Sequence, residues 1–165
     1  MTSARHRPSG FADHDHAACI GAALATADAR CAERGLRLTP VRRRALEILL
    51  REHRAVGAYA VLDRLRDDGF GSQPPVAYRA LDFLVANGFA HRIERLNAFV
   101  ACLHPESDHA PTFMICRVCD AVAELASDAA RGALGAAAQE SGFRIERTVI
   151  EAEGVCPGCD EAARA

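Results

Sequence analysis

Four cysteines in two Cys-x-x-Cys pairs carry the clearest chemistry in the chain: Cys116 and Cys119 in "MICRVCD", and Cys156 and Cys159 in "GVCPGCD". A Cys-x-x-Cys turn aims two thiolates the same way. Two such turns, separated here by a 36-residue insert (120–155), complete a tetrahedral zinc site with every position filled. A site closed in this way holds structure and cannot bind substrate. Four thiolates on a divalent ion leave a local charge near −2, so backbone N–H donors are expected close by. The competing reading is a redox dithiol, which "CPGC" resembles. That motif lacks the βαβ context it needs, and a second pair favours metal.

A second group of donors is expected around the hairpin "FAHRIERLNAFVACL", whose two apolar runs flank Asn97. A loop centred on Leu96-Asn97 gives cross-strand partners whose numbers sum to 193, which sets His91 opposite Cys102. Directly opposed residues have Cβ atoms about 5 Å apart on one face, close enough to share one zinc. Two further donors must come from elsewhere: the hinge-like "HPESDHAP" offers His109, and the strand after the first cysteine pair offers Glu124. His104 is the alternative to His109. Cys19 and Cys31, twelve apart in the first predicted helix, read as buried small apolar residues.

These donors need elements to hold them. Residues 1–16, with His6, His14 and His16, read as a flexible arm with a solvated tail. "AACIGAALATADARCAERG" predicts a helix ended by Gly35. "TPVRRRALEILLREH" predicts a second, with Thr39 as N-cap and Pro40 at the first helical position. "AYAVLDRLRDDG" predicts a third, closed by Gly69, and "SQPPVAYRALDFLVANG" a fourth, from Pro74 or Pro75 to Asn87-Gly88. On the fourth, Ala77, Ala80, Leu81, Leu84 and Val85 form the apolar stripe, which turns Arg79 and Asp82 outward and sets Tyr78 on its flank. After residue 105 the pattern becomes a strand "TFMIC", a turn, a strand "AVAEL", a helix from Ser127 to Ser141 and a strand "FRIERTVIEAEG".

The expected fold class is therefore α+β: an N-terminal winged helix-turn-helix (17–104) followed by a small α/β domain (105–165). The 165 residues, half of them hydrophobic, can bury a core. The N-terminus has no apolar stretch for export and no run suits a membrane span, which predicts a cytoplasmic protein whose cysteines stay reduced. A net charge of −2 hides an asymmetry. Residues 1–90 carry 13 Arg against 10 acidic residues, whereas residues 91–165 carry 7 against 12. The first part is the candidate for a nucleic acid partner. An enzyme built on His91 and Cys102 fails on context, since no orienting third group or oxyanion loop is recognisable.

A winged helix containing "PPVAYRALDFLVANGFAHRIE", then "FVACLHPESDHAPTFMICRVCDAVAE", then a last Cys-x-x-Cys resembles the ferric uptake regulator (Fur) family. The resemblance spans roughly residues 20–160 and is strongest to the zinc uptake regulator (Zur) branch. It implies a homodimeric, zinc-responsive repressor that binds double-stranded operator DNA and controls zinc uptake genes, with residues 105–165 serving dimerisation. It further implies two Zn(2+) per chain: a structural one on Cys116, Cys119, Cys156 and Cys159, and a sensory one on His91, Cys102, His109 and Glu124. Iron-sensing members carry a His-His-x-His cluster where this chain has only His104 and His109, and the soft Cys102 thiolate suits zinc. An iron, manganese or peroxide sensor of the same family, or a thiol redox switch, is the alternative. For DNA, the fourth helix is expected in the major groove with Arg79 reading guanine. Tyr78 and Tyr59 are implied at bases or phosphates. Arg37 and the run from Arg42 through Arg43 to Arg44 are expected on the backbone, except where the run is a solvated face.

Overall fold

The computed structural model describes residues 16–52, 54–105, 111–125 and 129–164. The chain divides into two compact units that meet between residues 106 and 107. The first contains four helices, α1 (His16–Glu33), α2 (Pro40–Leu50), α3 (Ala58–Asp67) and α4 (Pro74–Ala86). It also contains β1 (Val56–Gly57), β2 (Ala90–Ile93) and β3 (Ala98–Ala101), which form one sheet in the order β1-β3-β2. The two-residue β1 was not expected from sequence; at that length it has no periodicity to read.

The helix boundaries follow local chemistry. Thr39 is the N-cap of α2 and Pro40 its first residue, although the Thr39 hydroxyl makes no capping bond. Pro74 opens α4 in the same way, its missing N–H being one that the first turn leaves unused. At the far end of α4 the Phe89 N–H donates to the Leu84 carbonyl at 2.8 Å while Gly88 takes φ 74°, a left-handed cap that glycine adopts without a Cβ clash. That cap delivers the chain directly into β2.

Apolar residues of all four helices form one core, in which Leu46, Ile48, Leu49, Val61, Leu65, Leu81, Leu84 and Phe89 are buried. On α4 the buried residues are Ala77, Ala80, Leu81 and Leu84, with Val85 half-buried, so Tyr78, Arg79 and Asp82 face outward as the wheel predicts. Helix–helix ion pairs reinforce this packing. Arg43 of α2 reaches Asp28 of α1, and Arg44 holds Asp68, just past α3, at 2.6 Å while also pairing within α2 with Glu47 at 3.0 Å.

The hairpin register differs from the expected one. Ile93 pairs with Ala98 and His91 with Val100, so partner numbers sum to 191 and the turn is the four residues 94–97, with Asn97 at φ 46°. Cys102 lies just past β3, and its N–H donates to the Phe89 carbonyl at 3.0 Å. His91 and Cys102 are therefore diagonal neighbours instead of directly opposed. A slip of two residues keeps every side chain on its face, so the apolar alternation that rules out odd slips cannot rule out this one.

The second unit contains β4 (Thr112–Cys116), β5 (Val122–Leu125), α5 (Ala129–Ser141), β6 (Ile150–Gly154) and α6 (Pro157–Arg164). Its sheet runs β5-β4-β6, with β4 antiparallel to β5 and parallel to β6. The expected last strand is only partly formed. The last strand begins at Ile150 and leaves 143–149 outside the sheet, with Phe143 68% exposed. The final helix α6 was not foreseen, although Pro157 at its start is a signal of the kind that opens α2 and α4. Ser127, the expected start of α5, lies outside the described residues.

Candidate metal centres and nucleic acid surface

The sheet of the second unit brings the four cysteines together. β4 and β6 run parallel with Cys116 in register with Gly154, so both strands end at the same edge and the turns that follow converge. The first turn is tight. The Cys116 N–H donates to the Ala121 carbonyl, the Cys116 carbonyl accepts from the Asp120 N–H, and Asp120 sits at φ 57° to reverse the chain. The second pair is presented differently: Cys156 precedes α6 and Cys159 lies in its first turn.

The sulfurs of Cys116, Cys119, Cys156 and Cys159 all lie within 4.8 Å of one another. Those of Cys119 and Cys156 are 3.8 Å apart. A tetrahedral zinc with Zn–S bonds of about 2.3 Å requires sulfurs about 3.8 Å apart, whereas a disulfide requires about 2.05 Å. None of the seven cysteines is in a disulfide; Cys31 is buried as expected, whereas Cys19 is exposed on the surface of α1. The residues present thus fit a Cys₄ zinc, and the expected N–H donor is there too, as the Cys156 backbone N–H points at Cys116 Sγ at 3.3 Å.

The thiols are unequal in the absence of a cation. Burial pushes the Cys116 thiol up, but the N–H groups of Cys156, Cys119 and Val118 outweigh it and bring it down to about 6. At Cys119 the Ala121 N–H pulls down, yet burial and the neighbouring sulfurs of Cys116 and Cys156 leave the thiol raised. Cys159, hydrogen-bonded to the sulfurs of Cys156 and Cys119, is pushed up to about 12. One thiolate is stable here, and each further one meets the charge of the first. A divalent ion removes that conflict.

The other predicted donors are placed as follows. The ligand atoms of His91 and Cys102 lie within 4.8 Å of each other. Cys102 is buried and His91 half-buried. A diagonal pair in an antiparallel sheet is about 7–8 Å apart at the backbone, and the length of the histidine side chain closes the gap. Glu124, on β5 opposite Phe113, is a buried carboxylate at 7% exposure. His104 is half-buried on the stretch after β3. His109, like His6 and His14, lies outside the described residues.

Tyr59 on α3 and Tyr78 on α4 are exposed, at 65% and 41%. Arg79 and Arg37 are exposed as well. The Arg42-Arg43-Arg44 run, expected on the DNA backbone or as a solvated face, makes intramolecular contacts. Arg43 and Arg44 are ion-paired to Asp28 and Asp68 of neighbouring segments, and the Arg42 guanidinium stacks 3.7 Å over the Phe83 ring. Among the described residues no helix is long and apolar enough to cross a membrane.

No family model matches the chain. A zinc uptake regulation protein of Escherichia coli (strain K12) is 39% identical over 139 residues, covering 84% of this chain and 81% of that protein. A solved structure of a zinc uptake regulator complexed with zinc and DNA matches with a TM-score of 0.85 at 36% identity, over 88% of this chain and 98% of that one. A crystal structure of holo XcZur matches with a TM-score of 0.77 at 40% identity, over 84% of this chain and 96% of that one. With this identity over more than four fifths of both chains, the chain belongs to the ferric uptake regulator family, in its zinc uptake regulator branch.

Proposed function

We propose that this protein is a zinc-responsive transcriptional repressor that binds operator DNA as a dimer and controls zinc uptake genes. Residues 17–104 form its DNA-binding domain and residues 105–165 its dimerisation domain. Each chain holds two zinc ions: a structural one on Cys116, Cys119, Cys156 and Cys159, and a regulatory one on His91, Cys102, Glu124 and His109.

The observation that carries the regulatory assignment is the close approach of the His91 and Cys102 donor atoms on the wing of the first unit. Cys102 brings a soft sulfur, which selects zinc over iron and manganese, whose preferred donors are nitrogen and oxygen. One thiolate, one carboxylate and two neutral imidazoles sum to −2, so the loaded site is neutral and its burial leaves little charge to solvate. His91 and Cys102 belong to the DNA-binding domain and Glu124 to the dimerisation domain, so occupancy ties the wing to the rest of the chain. Bound zinc supplies the free energy: moving a two-state equilibrium from 1:99 to 99:1 takes about 5.5 kcal/mol, within what such sites deliver.

On DNA, α4 enters the major groove. Arg79, exposed on its outer face, reads guanine, and the exposed Tyr78 and Tyr59 contact bases or phosphates. Arg37 holds the backbone. The test is a selection of duplexes from a random-sequence pool by the protein with zinc, manganese or ferrous iron. Enrichment of one palindromic sequence with zinc is expected. Equal enrichment with manganese or iron would replace the zinc reading with another sensor of the same family.

A further inference from the structure

Of the arginines that the sequence directs to DNA phosphates, Arg42 is held in a way that suits a different task. Its guanidinium lies 3.7 Å over the ring of Phe83 on α4, and its Nη1 donates to the Arg37 carbonyl at 2.7 Å. One planar group thus touches the segment before α2 and the face of α4 together. Phe83 follows Arg79 by four residues, so the two share a face of that helix. Arg42 and Arg79 line one small cavity with Thr39, Val76 and Ala80. Arg43 and Arg44 spend their charge on Asp28 and Asp68. Among the described residues Arg37, Arg42 and Arg79 have no carboxylate partner.

We propose that Arg42 is a positioning residue of the DNA surface: its guanidinium ties Arg37 to the helix that carries Arg79 and does not itself neutralise a phosphate. This rests on the reading of that surface as DNA-binding. The geometry fixes the spacing between a residue that holds the backbone and one that reads a base. Lysine cannot replace it, because an ammonium has no flat face to lay on Phe83 while also donating through a rigid fork.

The experiment measures affinity of the zinc-loaded full chain for a duplex selected by the wild type and for a scrambled duplex, across a salt series. The proteins are wild type, Arg42→Lys, Arg42→Gln, Phe83→Leu and the Phe83→Leu/Arg42→Lys double variant. Arg42→Lys and Phe83→Leu should each weaken binding to the selected duplex about tenfold, leave the scrambled duplex nearly unchanged and, combined, do no more harm than either alone. The salt slope of Arg42→Gln should equal that of wild type. A slope lower by about 0.9 in Arg42→Gln, restored in Arg42→Lys, would make Arg42 a phosphate contact and overturn the proposal. Additive losses in the double variant would also overturn it. Failure of the underlying DNA reading looks different, since the wild type itself would then select no duplex.

Discussion

Replacing Cys102 by serine removes one sulfur donor and leaves the backbone around it intact, since the Cys102 N–H to Phe89 carbonyl bond at 3.0 Å does not involve the side chain. Changing a group that merely orients a ligand weakens metal sites by about 10–100-fold, and loss of a thiolate ligand weakens them further, so about 10³-fold, or about 4 kcal/mol, is the working figure. If metal normally moves the DNA-competent population from 1:99 to 99:1, a 10⁴-fold preference, and the Cys102 sulfur contributes its 10³-fold in the competent state alone, the variant retains only about tenfold of that preference. The competent fraction then rises from about 1% to about 10%. Zinc stimulation of DNA affinity accordingly falls from about 100-fold to about tenfold. Fluorescence anisotropy with a labelled selected duplex, titrated at saturating zinc and in chelator, reads both numbers. Retention of full zinc stimulation in Cys102→Ser would refute the role of this sulfur. Loss of the Cys₄ zinc in the same variant would show that the two sites are not separate.

Arg79→Ala should reduce discrimination at one base position by about 1–3 kcal/mol, whereas Arg37→Ala should weaken all sequences alike and lower the salt slope by about 0.9; binding to a panel of single-base variants separates the two. Zinc uptake at the Cys₄ site should release protons at neutral pH, because Cys119 and Cys159 are raised and Cys159 stands at about 12 before metal enters. Its affinity should therefore fall as pH falls, and calorimetry in buffers of different ionisation enthalpy counts the protons. Leu81→Ala, at a site with 0% exposure, should destabilise the first unit by about 2–5 kcal/mol in denaturant unfolding while leaving the Cys₄ zinc in place. Asp120→Gly relieves a left-handed residue at φ 57° and should be neutral or stabilising by up to about 1 kcal/mol, whereas Asp120→Val should destabilise the second unit.

The helical part of the fold was legible because its signals are local. Pro40 and Pro74 open helices, Gly69 and Gly88 close them, and the α4 stripe of Ala77, Ala80, Leu81 and Leu84 has the helical period. Pairing in the sheets was less legible. The alternation in the wing fixes which face His91 and Cys102 share but not whether they are opposed or diagonal; that depends on the length of the turn 94–97. Residues 143–149 are half-apolar and look like strand, yet only Ile150–Gly154 pairs with β4. Cys-x-x-Cys spacing announced four sulfurs within reach of one ion. It could not announce that the Cys156 N–H would turn to the Cys116 sulfur, which depends on the parallel register of β4 and β6. The arginine run gave its charge but not its partners, because Asp28 and Asp68 are distant in sequence and meet it only in the packed helices.

The most direct measurement is zinc per chain by elemental analysis, before and after prolonged exposure to a moderate chelator, with DNA binding followed on the same samples. Two zinc falling to one, with DNA binding lost at that step and restored on refilling, is the predicted result. One zinc that never exchanges, with no second site on refilling and DNA binding indifferent to chelator, would contradict a regulatory zinc on His91 and Cys102.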